Sequence, residues 1–266
     1  MTTDPQRLAK AARFIADARV ARSPLPVLPA EFRPESERCA YAVQVLVHQH
    51  LAEAGMGLLA GYKIGCTTPV MQHYLGIPNP CAGGIVSTGV HASGWVVDGA
   101  RFCRIGIECE IGLRVGRTLE PSDAPFTAES VASSVDACMA AVEIVDDRYV
   151  DWRTTGTPTL IADDFFGAGC VLGASVPAKN APDLAGLIGE VLINGASAGT
   201  GSGADVMGHP YRALAWLANN LADRGRRLEA GAVVLSGSVV QTRWLSPGDR
   251  VTVSLAGLGS VELVNR

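Results

Sequence analysis

From Arg104 to Val115 the chain reads RIGIECEIGLRV, and apolar and non-apolar residues alternate without a break. Ile105, Ile107, Cys109, Ile111, Leu113 and Val115 fall on one side of the alternation, and Arg104, Gly106, Glu108, Glu110, Gly112 and Arg114 on the other. A period of two belongs to a strand, because successive side chains of an extended chain point to opposite faces. The segment therefore sets Glu108 and Glu110 side by side on one face. Positions two apart on a strand are about 7 Å apart, and two ionised carboxylates at that distance repel by roughly 2 kcal/mol at an effective dielectric of 20. Arg104 and Arg114 share the face but lie about 13 Å along the strand, too far to neutralise the pair well. Such a face is either wetted by solvent or built around a cation.

A second segment bears on that choice. From Met139 to Val145, MAAVEIV is apolar except for Glu143. A run apolar on both faces reads as a buried strand, where an unpaired carboxylate costs several kcal/mol or is forced neutral. A buried pair with Arg148 or Arg153 is one compensation. The other is that Glu143 joins Glu108 and Glu110 in an all-oxygen site suited to a hard divalent cation, Mg²⁺ or Mn²⁺. Three carboxylates and a divalent ion leave one net negative charge, which a single lysine cancels. Lys63 is a candidate: it stands in GYKIGCTT between Tyr62 and Ile64, with Gly61 and Gly65 outside them, and glycine on both flanks suggests close backbone approach. Only three of the 22 basic residues are lysines. A desolvated amine near a cation has a lowered pKa and can serve as acid or base, which a guanidinium cannot.

Other classes are disfavoured. The net charge of −4 and the lack of a basic tract argue against a nucleic-acid partner. No apolar run approaches the roughly 18 residues of a membrane span, and the first residues, with Asp4, Arg7, Arg13 and Asp17, lack a signal-peptide core. Seven cysteines without a CxxC pair suggest reduced thiols and a cytoplasmic protein. SAGTGSGADVMGHP is not GxGxxG and reads as a glycine loop over a site. Ser236 and Ser238 lack the GxSxG elbow, and no HExxH is present.

Helical spacing predicts helices over 5–21, 35–55, 127–137 and 209–224. Short β-like runs are expected at 60–66, 84–87, 105–116, 139–146, 168–173, 188–194, 232–235, 249–254 and 259–264. Strands and helices do not alternate regularly, which disfavours a doubly wound parallel sheet. The expectation is an α+β chain: a helical N-terminal region over 1–58 and a mixed, mainly β catalytic domain over 59–266.

In their order and spacing, AYAVQ, GYKIGCTT, IECEIGLRV, AVEIVDDRYVDW, LIADD, GHPYRALAWLANNLADRG, LEAGAVVLSGS and SPGDRVTVSLAGLGSVEL carry a family resemblance. From about residue 24 onward the chain resembles the 2-keto-4-pentenoate (2-hydroxypentadienoate) hydratase and 4-oxalocrotonate decarboxylase family of the fumarylacetoacetate hydrolase superfamily. The resemblance implies a mixed β-roll of the fumarylacetoacetate hydrolase C-terminal type, assembled as a homo-oligomer, dimer or larger. It implies Mg²⁺ or Mn²⁺ on Glu108, Glu110 and Glu143. It implies substrate contact or proton transfer by Lys63 and substrate contacts from Ile64, Gly65, Asp164 and Ser236. The implied substrate is a small oxo-acid or dienol of aromatic-compound catabolism. The implied reaction is hydration of a short 2-hydroxy-dienoate to a 4-hydroxy-2-oxoacid. The alternatives are decarboxylation of a 4-oxalocrotonate-like 2-oxo-diacid and non-catalytic carboxylate binding. One departure stands out: in PNPCAGG, Cys81 occupies the place where the family commonly shows aspartate.

Overall fold

The computed structural model describes residues 4–266. Two helices lead. Asp4 accepts a hydrogen bond from the Gln6 backbone and Pro5 opens the first turn, so α1 (Pro5–Ala21) starts on cue and ends at Arg22, whose φ of 53° breaks the helical path. Ser36 caps α2 (Glu37–Glu53) through the Cys39 backbone. Ala11, Ala12 and Ile15 of α1 and Val43, Val47 and Leu51 of α2 are buried, so the pair packs through its apolar stripes.

The body is two sheets. The strands are β1 (Leu59–Gly65), β2 (Cys81–Val86), β3 (Val90–Ala92), β4 (Trp95–Val97), β5 (Ile105–Val115), β6 (Val135–Asp146) and β7 (Gly167–Leu172), then β8 (Val176–Pro177), β9 (Ile188–Ile193), β10 (Ala196–Ser202), β11 (Val233–Trp244), β12 (Arg250–Leu255) and β13 (Gly259–Asn265). The larger sheet runs β2-β1-β11-β5-β6-β7-β3, with β8 beside β6; the smaller runs β10-β9-β12-β13-β4. Pairing is mostly antiparallel, with β1–β11, β3–β7 and β4–β13 parallel, so the sheet is mixed as expected. Five further helices connect the strands: α3 (Pro69–Leu75), α4 (Ala128–Ala132), α5 (Trp152–Thr155), α6 (Thr157–Ala162) and α7 (Pro210–Ala222).

The large sheet curls on itself. At one seam a Cβ on Gly83 of β2 would meet the Asp164 carbonyl oxygen at 2.5 Å, and at another a Cβ on Gly169 of β7 would meet the Gly89 carbonyl at 2.5 Å. Glycine lets backbones approach there that any side chain would hold apart. The outer face carries Ile64, Ile107, Cys109, Ile111, Val142 and Ile144, which belong to the main core, and the smaller sheet lies over it. Cys109 is core packing, in contact with Gly189 of β9. A separate small cluster, Ile85, Ala141, Cys170 and Leu235, sits among β2, β6, β7 and β11.

Several boundaries differ from the periodicity reading. The helix expected over 127–137 ends at Ala132, because the chain from Val135 onward pairs with Arg114 and Val115 and extends β6 toward the N-terminus. The glycine-rich stretch after residue 195 is no loop over a site. It is strand β10, hydrogen-bonded along β9. The run at 232–235 continues to Trp244 as β11, with register shifts between Leu235 and Ser238 and beyond. Helix α3 and the short strands β3 and β4 carried no periodic signal of their own.

Candidate metal centre

Cross-strand register assembles the carboxylates. In the antiparallel β5–β6 ladder Glu108 stands opposite Glu143, and Glu110 lies two positions further along the same face of β5. Each of the three offers a ligand oxygen, and these atoms lie within 4.8 Å of one another. Glu110 and Glu143 are buried, while Glu108 is half-exposed and marks the side open to solvent.

Each carboxylate is held by the backbone or by a neighbour. The bulge in β11 turns the Gly237 amide inward, where it donates to Glu110 Oε2 at 2.6 Å. Gly237 has a φ of +123°, and a Cβ there would meet the Thr67 side chain at 2.6 Å, so only glycine fits. The Thr242 hydroxyl donates to Glu108 Oε1. Lys63 Nζ approaches Glu143 Oε1 at 3.1 Å, donates to the Phe165 carbonyl at 2.6 Å and faces the Phe165 ring at 5.2 Å. Among the described residues no arginine is ion-paired with the three glutamates. Arg148, one of the sequence candidates for Glu143, is taken by Asp163 at 2.7 Å.

The cluster is electrically unfinished. Three carboxylates face one ammonium, and Glu110 Oε1 and both Glu143 oxygens lack a hydrogen-bond partner. Burial, reinforced by Glu143 and Glu108, pushes the Glu110 carboxyl well above the usual range. Burial likewise pushes Glu143 up to about 7, with the Lys63 charge working against it. Burial also opposes the charge of Lys63, yet Glu143 and Glu108 outweigh it and raise the amine above its ordinary value. Together the carboxylates outweigh desolvation at Lys63 when no cation is bound; the lowered value expected from the sequence is that of an amine beside a bound cation. Orphaned, all-oxygen donors at this spacing fit a hard divalent cation.

The remaining candidates divide. A Cβ on Gly65 would lie 3.5 Å from Lys63 Nζ, so its missing side chain leaves room over the amine. Ile64 points the other way, into the main core, as the alternation of β1 requires; its side chain is not in the site. The Asp164 carboxylate is committed elsewhere: it accepts from Arg19 at 2.6 Å, His48 at 2.8 Å and the Gly84 amide at 2.7 Å. Those partners surround it, and the His48 and Arg19 charges help hold its pKa below the usual carboxylate range despite burial. Ser236 is fully buried one residue before Gly237, with its hydroxyl unpartnered. Cys81 opens β2 opposite Gly65.

Sequence reasoning missed Phe165, Thr242, Gly237 and Gly167. A Cβ on Gly167 would meet Lys63 Cε at 3.4 Å and Glu143 Oε1 at 3.7 Å. Phe165 enters through an unusual turn in which Asp164, Phe165 and Phe166 have φ of 57°, 50° and 66°. Left-handed backbone at a non-glycine residue costs of order 1–3 kcal/mol. Here the ion pairs of Asp163 and Asp164 pin the turn, and the Phe165 carbonyl it presents is the one Lys63 binds. No residue type announces such a carbonyl.

Comparison with known proteins follows the same lines. The family model described as fumarylacetoacetate (FAA) hydrolase C-terminal matches residues 78–264. A 2-keto-4-pentenoate hydratase of Paraburkholderia xenovorans (strain LB400) is 31% identical over 258 residues, covering 97% of this chain and 94% of that one. A 4-oxalocrotonate decarboxylase of Pseudomonas putida is 30% identical over 84% of this chain and 83% of its own. The solved 4-oxalocrotonate decarboxylase from Pseudomonas putida G7, complexed with magnesium and adipate, superposes with a TM-score of 0.92 at 26% identity, covering 100% of this chain and 99% of that one.

Proposed function

The chain belongs to the fumarylacetoacetate hydrolase C-terminal family, and from that premise we propose that it is a metal-dependent hydro-lyase that hydrates a short 2-hydroxy-dienoate to a 4-hydroxy-2-oxoacid. The observation that carries the reading is the cluster of Glu108, Glu110 and Glu143 within 4.8 Å, with Lys63 at 3.1 Å from Glu143. The three glutamates would hold Mg²⁺ or Mn²⁺, whose chemistry is to bind a carboxylate and a neighbouring oxygen and to stabilise negative charge that develops on them.

This chain's own groups supply the rest. Gly237 and Thr242 orient Glu110 and Glu108, the kind of support that tunes ligand geometry. Lys63 holds a proton, aimed by the Phe165 carbonyl, for the carbon that gains one as the dienol becomes a ketone. Gly65 and Gly167 leave space for the substrate beside Lys63 and Glu143. Burial keeps bulk water from Lys63 and Glu143, and the half-exposed side at Glu108 is the approach for the water that adds to the conjugated alkene.

A second reading, decarboxylation of a 2-oxo-diacid, is favoured by the close superposition on a decarboxylase. Hydration is preferred because, among the described residues, Lys63 is the cation paired at the cluster and no arginine is ion-paired there to take a second carboxylate. Product analysis separates the two. With Mg²⁺ or Mn²⁺, 2-hydroxypenta-2,4-dienoate should give the 4-hydroxy-2-oxoacid, and chelator should stop it. Carbon dioxide release from 4-oxalocrotonate, with the dienoate left unchanged, would replace hydration by decarboxylation. We also infer a cytoplasmic homo-oligomer, dimer or larger, on the family resemblance; sedimentation of the purified chain as a monomer would overturn the assembly.

A further inference from the structure

We propose that Cys66 and Cys81 form a modification site, an oxidisable dithiol that closes to a disulfide between the end of β1 and the start of β2, beside the candidate metal centre. The antiparallel register places Gly65 opposite Cys81, so Cys66 leaves β1 next to the residue that opens β2. The two thiols are close enough to perturb each other's ionisation, and neither is in a disulfide. Cys66 retains 8% exposure and Cys81 none, so a small oxidant reaches Cys66 first.

The pair is chemically asymmetric. The neighbouring Cys81 thiol lowers the Cys66 pKa against the effect of burial, and the Lys63 charge adds to it. Cys66 in turn, with burial, raises Cys81. By contrast, burial pushes Cys109 and Cys170 up to about 12, with only carboxylates as charged neighbours. Cys66 is therefore the attacking sulfur and Cys81 the resolving one.

With a hydroperoxide as oxidant, the Cys66 thiolate attacks the peroxide oxygen and breaks the O–O bond. Cys66 becomes a sulfenic acid and, with hydrogen peroxide, one water leaves after protonation. The Cys81 sulfur then attacks the Cys66 sulfur, the S–O bond breaks, and the Cys81 proton leaves with the hydroxyl as a second water. Two thiols lose two electrons and two protons, and the peroxide is reduced to two waters.

The site is mechanically tied to the metal centre. Cys66 stands between Gly65, whose missing side chain leaves room over Lys63, and Thr67, which packs on Gly237. Gly237 in turn donates its amide to Glu110. Drawing the two neighbouring sulfurs together into a covalent bond shifts the chain between these two contacts, and the carboxylate cluster loosens. This consequence rests on the metal-site reading above.

The test uses the full-length protein and hydrogen peroxide. After alkylation of the remaining thiols and digestion without reductant, mass spectrometry should find the peptides of Cys66 and Cys81 joined and lighter by two hydrogens. Dithiothreitol should reverse the link, and Cys66→Ser and Cys81→Ser should each abolish it. Mn²⁺ binding to the oxidised protein should weaken roughly 10-fold, as for loss of an orienting contact, and recover on reduction. Each variant, compared with and without peroxide, should show no such change. Oxidation of Cys66 without a joined peptide would overturn the dithiol. A joined peptide with unchanged Mn²⁺ affinity would overturn its tie to the centre. Neither readout needs turnover, so a failed hydratase assay and a failed disulfide remain distinguishable.

Discussion

Two clusters of buried charge lie close in this fold, and they solve the cost of burial in opposite ways. Around Asp163 and Asp164, carboxylates meet guanidinium groups in nearly equal number: Arg148 sits 2.7 Å from Asp163, Arg19 2.6 Å from Asp164, and His48 and the Gly84 amide complete the shell. Around Glu143, three carboxylates meet one ammonium and three buried oxygens have no hydrogen-bond partner. A buried charge pair holds together when both partners and their remaining lone pairs are satisfied. The first cluster balances its carboxylates with cations, although Asp163 Oδ1 and His48 Nδ1 have no hydrogen-bond partner, and serves as a clamp. The second is finished only by something from outside the chain, and that difference marks it as a site.

Breaking each cluster should expose the contrast, and the largest effect belongs to the glutamates. Glu110→Gln or Glu143→Gln should remove Mn²⁺ binding and lower turnover by more than about 10³-fold, the loss expected when several kcal/mol of metal-supplied stabilisation goes; titration calorimetry and steady-state assays check both. In the clamp, Asp164→Ala strands Arg19 and His48 and should cost about 3–5 kcal/mol of stability, read as a lower urea midpoint. Retained stability there would dissolve the distinction drawn above. The metal-free Glu110→Gln protein should instead gain about 1–3 kcal/mol, because a buried carboxylate with an orphaned oxygen, crowded by Glu143 and Glu108, is replaced by a neutral amide. Smallest of all, removing the exposed Arg13–Asp17 pair should change stability by less than about 1 kcal/mol.

The pH response of the two clusters also runs in opposite directions. Glu143 is raised to about 7 in the folded chain, against about 4.3 unfolded. The metal-free fold therefore holds the extra proton, and its stability falls as pH rises through that window. Asp164 is depressed, so its contribution is present above its unfolded value of about 3.9 and is lost as pH falls toward the folded pKa. Added Mg²⁺ should accordingly raise the melting temperature much more at pH 8 than at pH 5. An equal rise at both would contradict the proton–metal competition.

Much of this was legible in residue pattern. Alternation placed Glu108 and Glu110 on one face, and a lone glutamate in an apolar run identified Glu143, because side-chain polarity is what periodicity measures. The helix at 5–21 was equally visible, since its cap and stripe are local. The clamp around Asp164 was not legible, because ligand and clamp use the same carboxylate and its partner Arg19 comes from α1. The Gly237 amide and the Phe165 carbonyl left no trace, being backbone groups whose direction is set by a bulge and a left-handed turn. Likewise, β10 is a strand only because β9 lies beside it.

The parallel pairing of β1 with β11 has a bearing on how the chain is made. Lys63 sits opposite Leu235, so β1 meets its inner neighbour only when nearly the whole polypeptide exists. Glu108 and Glu143 can pair early, on adjacent strands of one hairpin-like unit. During synthesis the acidic half of the centre therefore forms before the Gly237 amide and the β11 edge that carries Lys63 into place. Contacts so distant in sequence close slowly. A ribosome-bound chain arrested before β11 should expose the acidic pair without its lysine, and tight cation capture would then report that the final strands, β11 onward, have arrived.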